Sequence, residues 1–141
     1  MKYLEVQFDA LRPAHFSQEW ATIFKRIDAD EYSMVYLSES QAKIVEKELL
    51  HDNSDLPDAC AQFLADNVKE GYSLDSLMID EPDGILQATL VFKEGDNTLK
   101  TECPAPIAIA LAVRTKARIF VEESCFCVTI SDPFVLDLLT S

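Results

Sequence analysis

From Ile107 to Val113 the chain reads Ile-Ala-Ile-Ala-Leu-Ala-Val, preceded by Pro104 and Pro106 and followed by Arg114. Alanine and leucine favour a helix, and proline suits its first turn, where the missing N–H would have had no intrahelical partner. A helix running to about Thr115 with this sequence is apolar on every face, so it has no side to offer to water and belongs in the core. The run is much shorter than the roughly 20 apolar residues a membrane span requires, so the remaining chain must do the enclosing. With 141 residues, 48% hydrophobic and 26% charged, there is enough of it. A chain of this length buries about 70% of its unfolded surface and needs neither disulfide nor metal to support its core.

The elements around that helix follow from periodicity and turn chemistry. Tyr3, Leu4, Val6 and Phe8 alternate with polar residues up to Arg12-Pro13, a half-buried strand. Trp20 to Ile27 and Tyr32 to Leu37 are two more strands, turning at Asp28-Ala29-Asp30, so the first third reads as an antiparallel meander. Ser38-Glu39-Ser40-Gln41 is a capping box, and Ala42, Ile44, Val45 and Leu49 continue it as a helix to about Leu50. Pro57 opens a second helix through Ala59, Cys60, Phe63, Leu64 and Val68, with Gly71 at its C-terminal cap. Ser73–Asp80, Ile85–Phe92 and Thr98–Cys103 are strands joined at Pro82-Asp83-Gly84 and Gly95-Asp96-Asn97, turns short enough to demand antiparallel pairing. After the apolar helix come a strand at Arg118–Glu122, another near Phe126 to Ile130, and a helix capped by Asp132-Pro133 that runs through Leu139. The fold class expected is α+β: a mixed, largely antiparallel sheet in the order βββααβββαβ, packed with three to four helices. No linker interrupts the pattern, so residues 1–141 are expected to form one domain.

The twelve Lys plus Arg against twenty-five Asp plus Glu give a net charge of −13. Nucleic-acid binding draws on counterion release by clustered cations, and a surface of this sign repels phosphates, so weak or no nucleic-acid binding is expected. The opening Met1-Lys2-Tyr3-Leu4-Glu5 has an acid where a signal peptide would be apolar, which reads as a cytoplasmic protein without membrane partners. In a reducing compartment Cys60, Cys103, Cys125 and Cys127, all within apolar segments, are small core hydrophobes rather than a disulfide framework. Trp20, Phe24, Phe134 and Leu138 lie near the two ends of an acidic chain, a pattern that suggests a homo-oligomer, with a dimer favoured.

The stretch from Glu102 to Glu123 resembles the signature of the bifunctional nuclease family, Asp-x-Arg-Pro-Ser-Asp-Ala-Ile-Ala-Leu-Ala-Leu-Arg followed by a short strand. Setting Ala108-Ile109-Ala110-Leu111-Ala112 on the family's Ala-Ile-Ala-Leu-Ala puts Glu102 on its acid and Arg114 on its arginine. Gln41-Ala42-Lys43-Ile44-Val45 falls where the family has Glu-Ala-x-Ala-Ile, and Leu56-Pro57-Asp58-Ala59-Cys60-Ala61 where it has Arg-Pro-x-Thr-His-Asp. The resemblance covers roughly residues 2 to 125. It implies the family's fold and, for an intact member, metal-assisted phosphodiester hydrolysis by carboxylates, a histidine and arginines.

The departures fall on that chemistry. Gln41 stands for Glu, Leu56 for Arg, Cys60 for His, Ala61 for Asp, Pro104 for Arg, Pro106 for Ser and Ile107 for Asp. The scaffold positions are kept, so the expectation is a catalytically degenerate member acting as a binding or assembly protein, without cofactor. The alternative is an active nuclease cleaving DNA or RNA, which would require Mg²⁺ or another divalent cation. Function is carried by the site and not by the fold.

Glu102, Arg114 and Glu123 are the polar positions that survive in the family frame, and Arg114, at the end of the apolar helix, is expected to pair with Glu102 or Glu123. Gln41, Cys60 and Ile107 are expected to gather into a dry cluster, with Ile107 largely buried. The remaining candidates have ordinary readings. His15 and His51 read as surface residues. Cys125-x-Cys127, on one strand face, lacks the second half of a zinc site. Asp80-Glu81-Pro82-Asp83 and Glu122-Glu123 lack the ligand spacing of a calcium loop, Ser124 has no base partner, and no metal site is expected.

Overall fold

The computed structural model describes residues 2–14, 18–49, 58–125 and 128–129. Eight strands form one sheet: β1 Tyr3–Pro13, β2 Trp20–Arg26, β3 Glu31–Leu37, β4 Ser73–Asp80, β5 Gln87–Glu94, β6 Asn97–Cys103, β7 Arg118–Glu122 and the two-residue β8 Val128–Thr129. Three helices accompany them: α1 Glu39–Leu49, α2 Asp58–Asn67 and α3 Ala105–Thr115. The fold is α+β. The strand order across the sheet is β6-β5-β4-β7-β1-β2-β3-β8.

Two antiparallel meanders, β1-β2-β3 and β4-β5-β6, are joined edge to edge by β7. That strand pairs antiparallel with β1, setting Val6 opposite Ile119, and parallel with β4, setting Leu77 opposite Ile119. The parallel pair requires a long crossover, and β5, β6 and α3 provide it. The apolar helix is thereby carried beneath the sheet, where Ala108, Ile109 and Ala110 are fully buried. Val6, Phe24, Val35, Leu37, Leu77, Ile79, Leu90 and Phe92 meet it from alternate strand positions, so one face of the sheet and the helices share a core. The other face carries a separate small cluster of Ala14, Ala21, Ile23 and Tyr32.

Local chemistry sets most element ends as the sequence suggests. The capping box forms: the Ser38 N–H donates to Gln41 Oε1 at 3.0 Å and the Gln41 N–H to Ser38 Oγ at 3.3 Å. Between β2 and β3, Arg26 clasps both Asp28 and Glu31. The loop of β5 and β6 is two residues, with Gly95 at φ +59° in the first central position, where only glycine sits without strain.

Some boundaries differ from expectation. Gly71 (φ +95°) does not cap α2, which ends at Asn67 because the Asn67 side-chain amide donates to the Phe63 carbonyl at 3.0 Å. Gly71 belongs instead to the turn into β4. Ile85 and Leu86 precede β5: a 3₁₀ turn at Pro82–Gly84, with Asp83 at φ 54°, delays the strand and leaves Ile85 70% exposed. Cys125 ends a 3₁₀ turn at Glu123–Cys125 and not a strand, because the Glu122 carboxylate accepts both the N–H and the hydroxyl of Ser124. His15, His51, Leu56, Pro57, Cys127 and the helix expected from Asp132 lie outside the described residues. Among those that are described, no helix is long and apolar enough to cross a membrane.

Candidate functional site

The polar feature that the helices build lies where α1, α2 and α3 meet. α1 exposes Gln41 and Lys43 and turns Ala42, Val45 and Glu48 inward. Glu48 therefore stands on the apolar stripe of its own helix, with its side chain only 7% exposed. Arg114, in the last turn of α3, reaches it from the other side: Nη1 donates to Oε1 at 3.2 Å and to Oε2 at 3.4 Å. A carboxylate taken this far out of water needs its cation, since alone it would keep its desolvation cost without return, whereas the Arg114 side chain, 28% exposed, keeps some contact with water.

Cys60 on α2 completes the group. It is fully buried, and burial pushes its thiol up to about 11, with the Glu48 charge adding to the effect and Arg114 opposing it. Cys103, at the end of β6, is 7% exposed and is pushed by burial to about 12. Both thiols are protonated, hence poor nucleophiles and poor metal ligands at neutral pH. Cys60, Cys103 and Cys125 are free cysteines.

The family-frame acids are elsewhere. The expected pairing of Arg114 with Glu102 or Glu123 gives way to the pair with Glu48, because α3 rises about 1.5 Å per residue and carries Arg114 on the order of 13 Å from the end where Glu102 leads in. β7 then returns the chain to that far end, where Glu123 lies 3.8 Å from Lys2. Glu102, exposed on β6, accepts from the Gln87 amide at 2.8 Å. Nearby, the Tyr3 hydroxyl donates to Asp80 at 2.9 Å, and burial together with that carboxylate holds the phenol up to about 12.

The converted positions also separate. Gln41 is exposed and its amide is occupied in capping α1, so it does not join a dry cluster with Cys60. Ala61 is exposed on α2, and Pro104 is exposed at the N-cap of α3, with no side chain capping that end. Pro106 is buried, while Ile107, expected to be largely buried, is half-buried at the rim of the core, because it shares a face of α3 with Arg114, seven residues on and itself only partly covered. Among the described residues, no three His, Cys, Asp or Glu side chains gather as a metal site would require.

Glu48 is the participant that sequence reasoning passed over. Its signal was present: spaced three residues from Val45, it puts a carboxylate on the stripe that Ala42, Val45 and Leu49 define. A cleft of about 350 Å³ opens between α2, α3 and the ends of β4 and β5, lined mainly by Leu64, Val68, Tyr72, Leu74, Phe92 and Leu111. Comparison with known proteins finds no family model that matches the chain, and no curated protein matches it either.

Proposed function

We propose that this chain is a bifunctional-nuclease-like domain that acts by binding or assembly and does not cleave phosphodiesters. The observation that carries the reading is the state of Arg114 and Cys60, the two family-frame positions that the fold brings to one place. The guanidinium is neutralised by Glu48, and the residue standing for the family's histidine is a buried thiol held protonated. Among the described residues this leaves neither a free phosphate-binding cation nor a proton-transfer group beside Cys60 in place of the family's pair, and hydrolysis draws on both in reach of one substrate. The apolar cleft adds support, since its volume lies in the range of small-ligand sites and its lining suits a ligand with little charge.

The test is incubation with single- and double-stranded DNA and RNA in Mg²⁺, Mn²⁺ and Ca²⁺, with Arg114→Met as a comparison. No cleavage above buffer is expected from either protein. Metal-dependent cleavage by the native chain, lost in Arg114→Met, would establish the active nuclease instead. The −13 net charge predicts binding no tighter than about 10⁻⁴ M near physiological salt, the weak end of non-specific association. A mobility shift at micromolar protein would contradict it.

A further inference from the structure

We propose that the cleft between α2, α3 and the ends of β4 and β5 binds a neutral, largely apolar small molecule that carries a hydroxyl group, an alcohol or a phenol. The assignment rests on the reading of the chain as a binding protein and names the class of ligand it takes.

Size and lining set the body of that ligand. Leu64 bounds the cleft from α2, Leu111 from α3 and Phe92 from the sheet, around a volume of about 350 Å³. A dry apolar cavity of about 150 Å³ takes a benzene ring, so this one holds roughly a dozen non-hydrogen atoms, such as two fused rings. No lysine, arginine or histidine is found among the described residues that line it. An anion entering the cleft would lose water and gain no cation in return.

The border sets the polar group. Tyr72, Ser73 and Thr115 bring three hydroxyls to it. The Thr115 hydroxyl donates to the Leu111 carbonyl at 2.9 Å, and the Ser73 hydroxyl to the Lys93 carbonyl at 3.4 Å. With their hydrogens occupied by the backbone, these two offer a ligand only lone pairs. Tyr72 is half-buried, and its hydroxyl makes no hydrogen bond among the described residues, so it can donate as well as accept.

Glu94, two residues beyond Phe92, adds a carboxylate. It lies so close against Gly71, the neighbour of Tyr72, that a side chain on Gly71 would collide with Oε2. Among the described residues no ion pair neutralises it. A ligand carboxylate would therefore meet lone pairs and a like charge, and an ether or ketone could use Tyr72 alone. An ammonium would give up more water than the exposed Glu94 returns. A hydroxyl gives its hydrogen to the waiting lone pairs and accepts one from Tyr72.

The test is titration of the full chain at neutral pH with naphthol, whose own fluorescence reports its transfer to an apolar site. Saturable one-to-one binding is expected, with a Kd of about 10⁻⁴ M or tighter. Methoxynaphthalene, which lacks the donor, should bind about fivefold more weakly, and naphthoate about tenfold or more. Glu94→Gln should raise the affinity for naphthoate about threefold and leave that for naphthol unchanged, whereas Tyr72→Phe should weaken naphthol about fivefold and leave naphthalene unchanged. Leu64→Trp fills the cleft and should abolish binding while circular dichroism stays native; Val68→Phe serves the same purpose if Leu64→Trp does not fold. The proposal is overturned if naphthol does not saturate the native chain, or if it binds a folded filled variant as before. Naphthoate, methoxynaphthalene or naphthylmethylamine binding as tightly as naphthol overturns it too. Failure here leaves the nuclease comparison standing, and cleavage there overturns the reading of a binding protein whatever naphthol does.

Discussion

The guanidinium of Arg114 on α3 meets the carboxylate of Glu48 on α1 at 3.2 Å, 66 positions apart in the chain, and the acid is almost enclosed. Its position makes the pair a clasp between two helices that otherwise touch through apolar side chains. Arg114→Met leaves a buried carboxylate without its cation and should destabilise by about 2–4 kcal/mol. Glu48→Met leaves an arginine that still reaches water and should cost roughly 1 kcal/mol. The double replacement should return close to the native urea midpoint, because two apolar side chains of similar volume fill the space without a desolvation cost. Additive losses in the double variant would show that packing, not charge, holds the clasp.

The buried thiols contribute to the alkaline behaviour, joined above pH 10 by the Tyr3 phenol, which is held up in the same way. Cys60 is held up to about 11 and Cys103 to about 12, both above the ordinary 9.0. Below pH 9 these groups are protonated whether the chain is folded or not, and their contribution is intact. As pH rises further the unfolded chain releases protons that the folded chain keeps. Stability should therefore fall between about pH 9 and pH 12, at about 1.4 kcal/mol per pH unit for each thiol within its window. Cys60→Ala should flatten the fall over the part of the window that belongs to Cys60. Urea melts at stepped pH check the slope, and an unchanged slope in Cys60→Ala refutes the assignment.

Ile107→Asp tests the converted first turn of α3. The substitution removes half-buried apolar surface but places a carboxylate in the first turn, where the helix dipole favours it and water is within reach. A loss of about 1–2 kcal/mol is expected, with no cleavage gained, since Pro104 and Pro106 supply no polar neighbour. Denaturant melts and the nuclease assay decide it together, and a gain of metal-dependent cleavage would show that a single acid restores the site.

Thr22 on β2 is fully buried, and its hydroxyl has no hydrogen-bond partner among the described residues. Thr22→Val keeps the β-branched shape and removes an unpaired polar atom, so it should stabilise the protein by about 1 kcal/mol. A drop in the thermal midpoint would mean that the hydroxyl is satisfied in solution.

Elements built from near neighbours were legible in the sequence: the capping box at Ser38 and Gln41, the tight turn at Gly95, the first meander, and an apolar helix from Ile107 to Val113 that had to be enclosed. Each is determined by contacts a few residues apart, where propensity, periodicity and turn geometry act directly. What encloses that helix was decided only in three dimensions. The insertion of β7 between β4 and β1 depends on which strand edges remain free once two meanders have formed, and no local pattern records that. The partner of Arg114 was settled in the same way. The direction and length of α3 carry the guanidinium away from Glu102, and β7 carries Glu123 back to the opposite end. Packing of α1 on α3 then brings in Glu48, whose place on an apolar stripe has meaning only when another helix supplies the opposite charge.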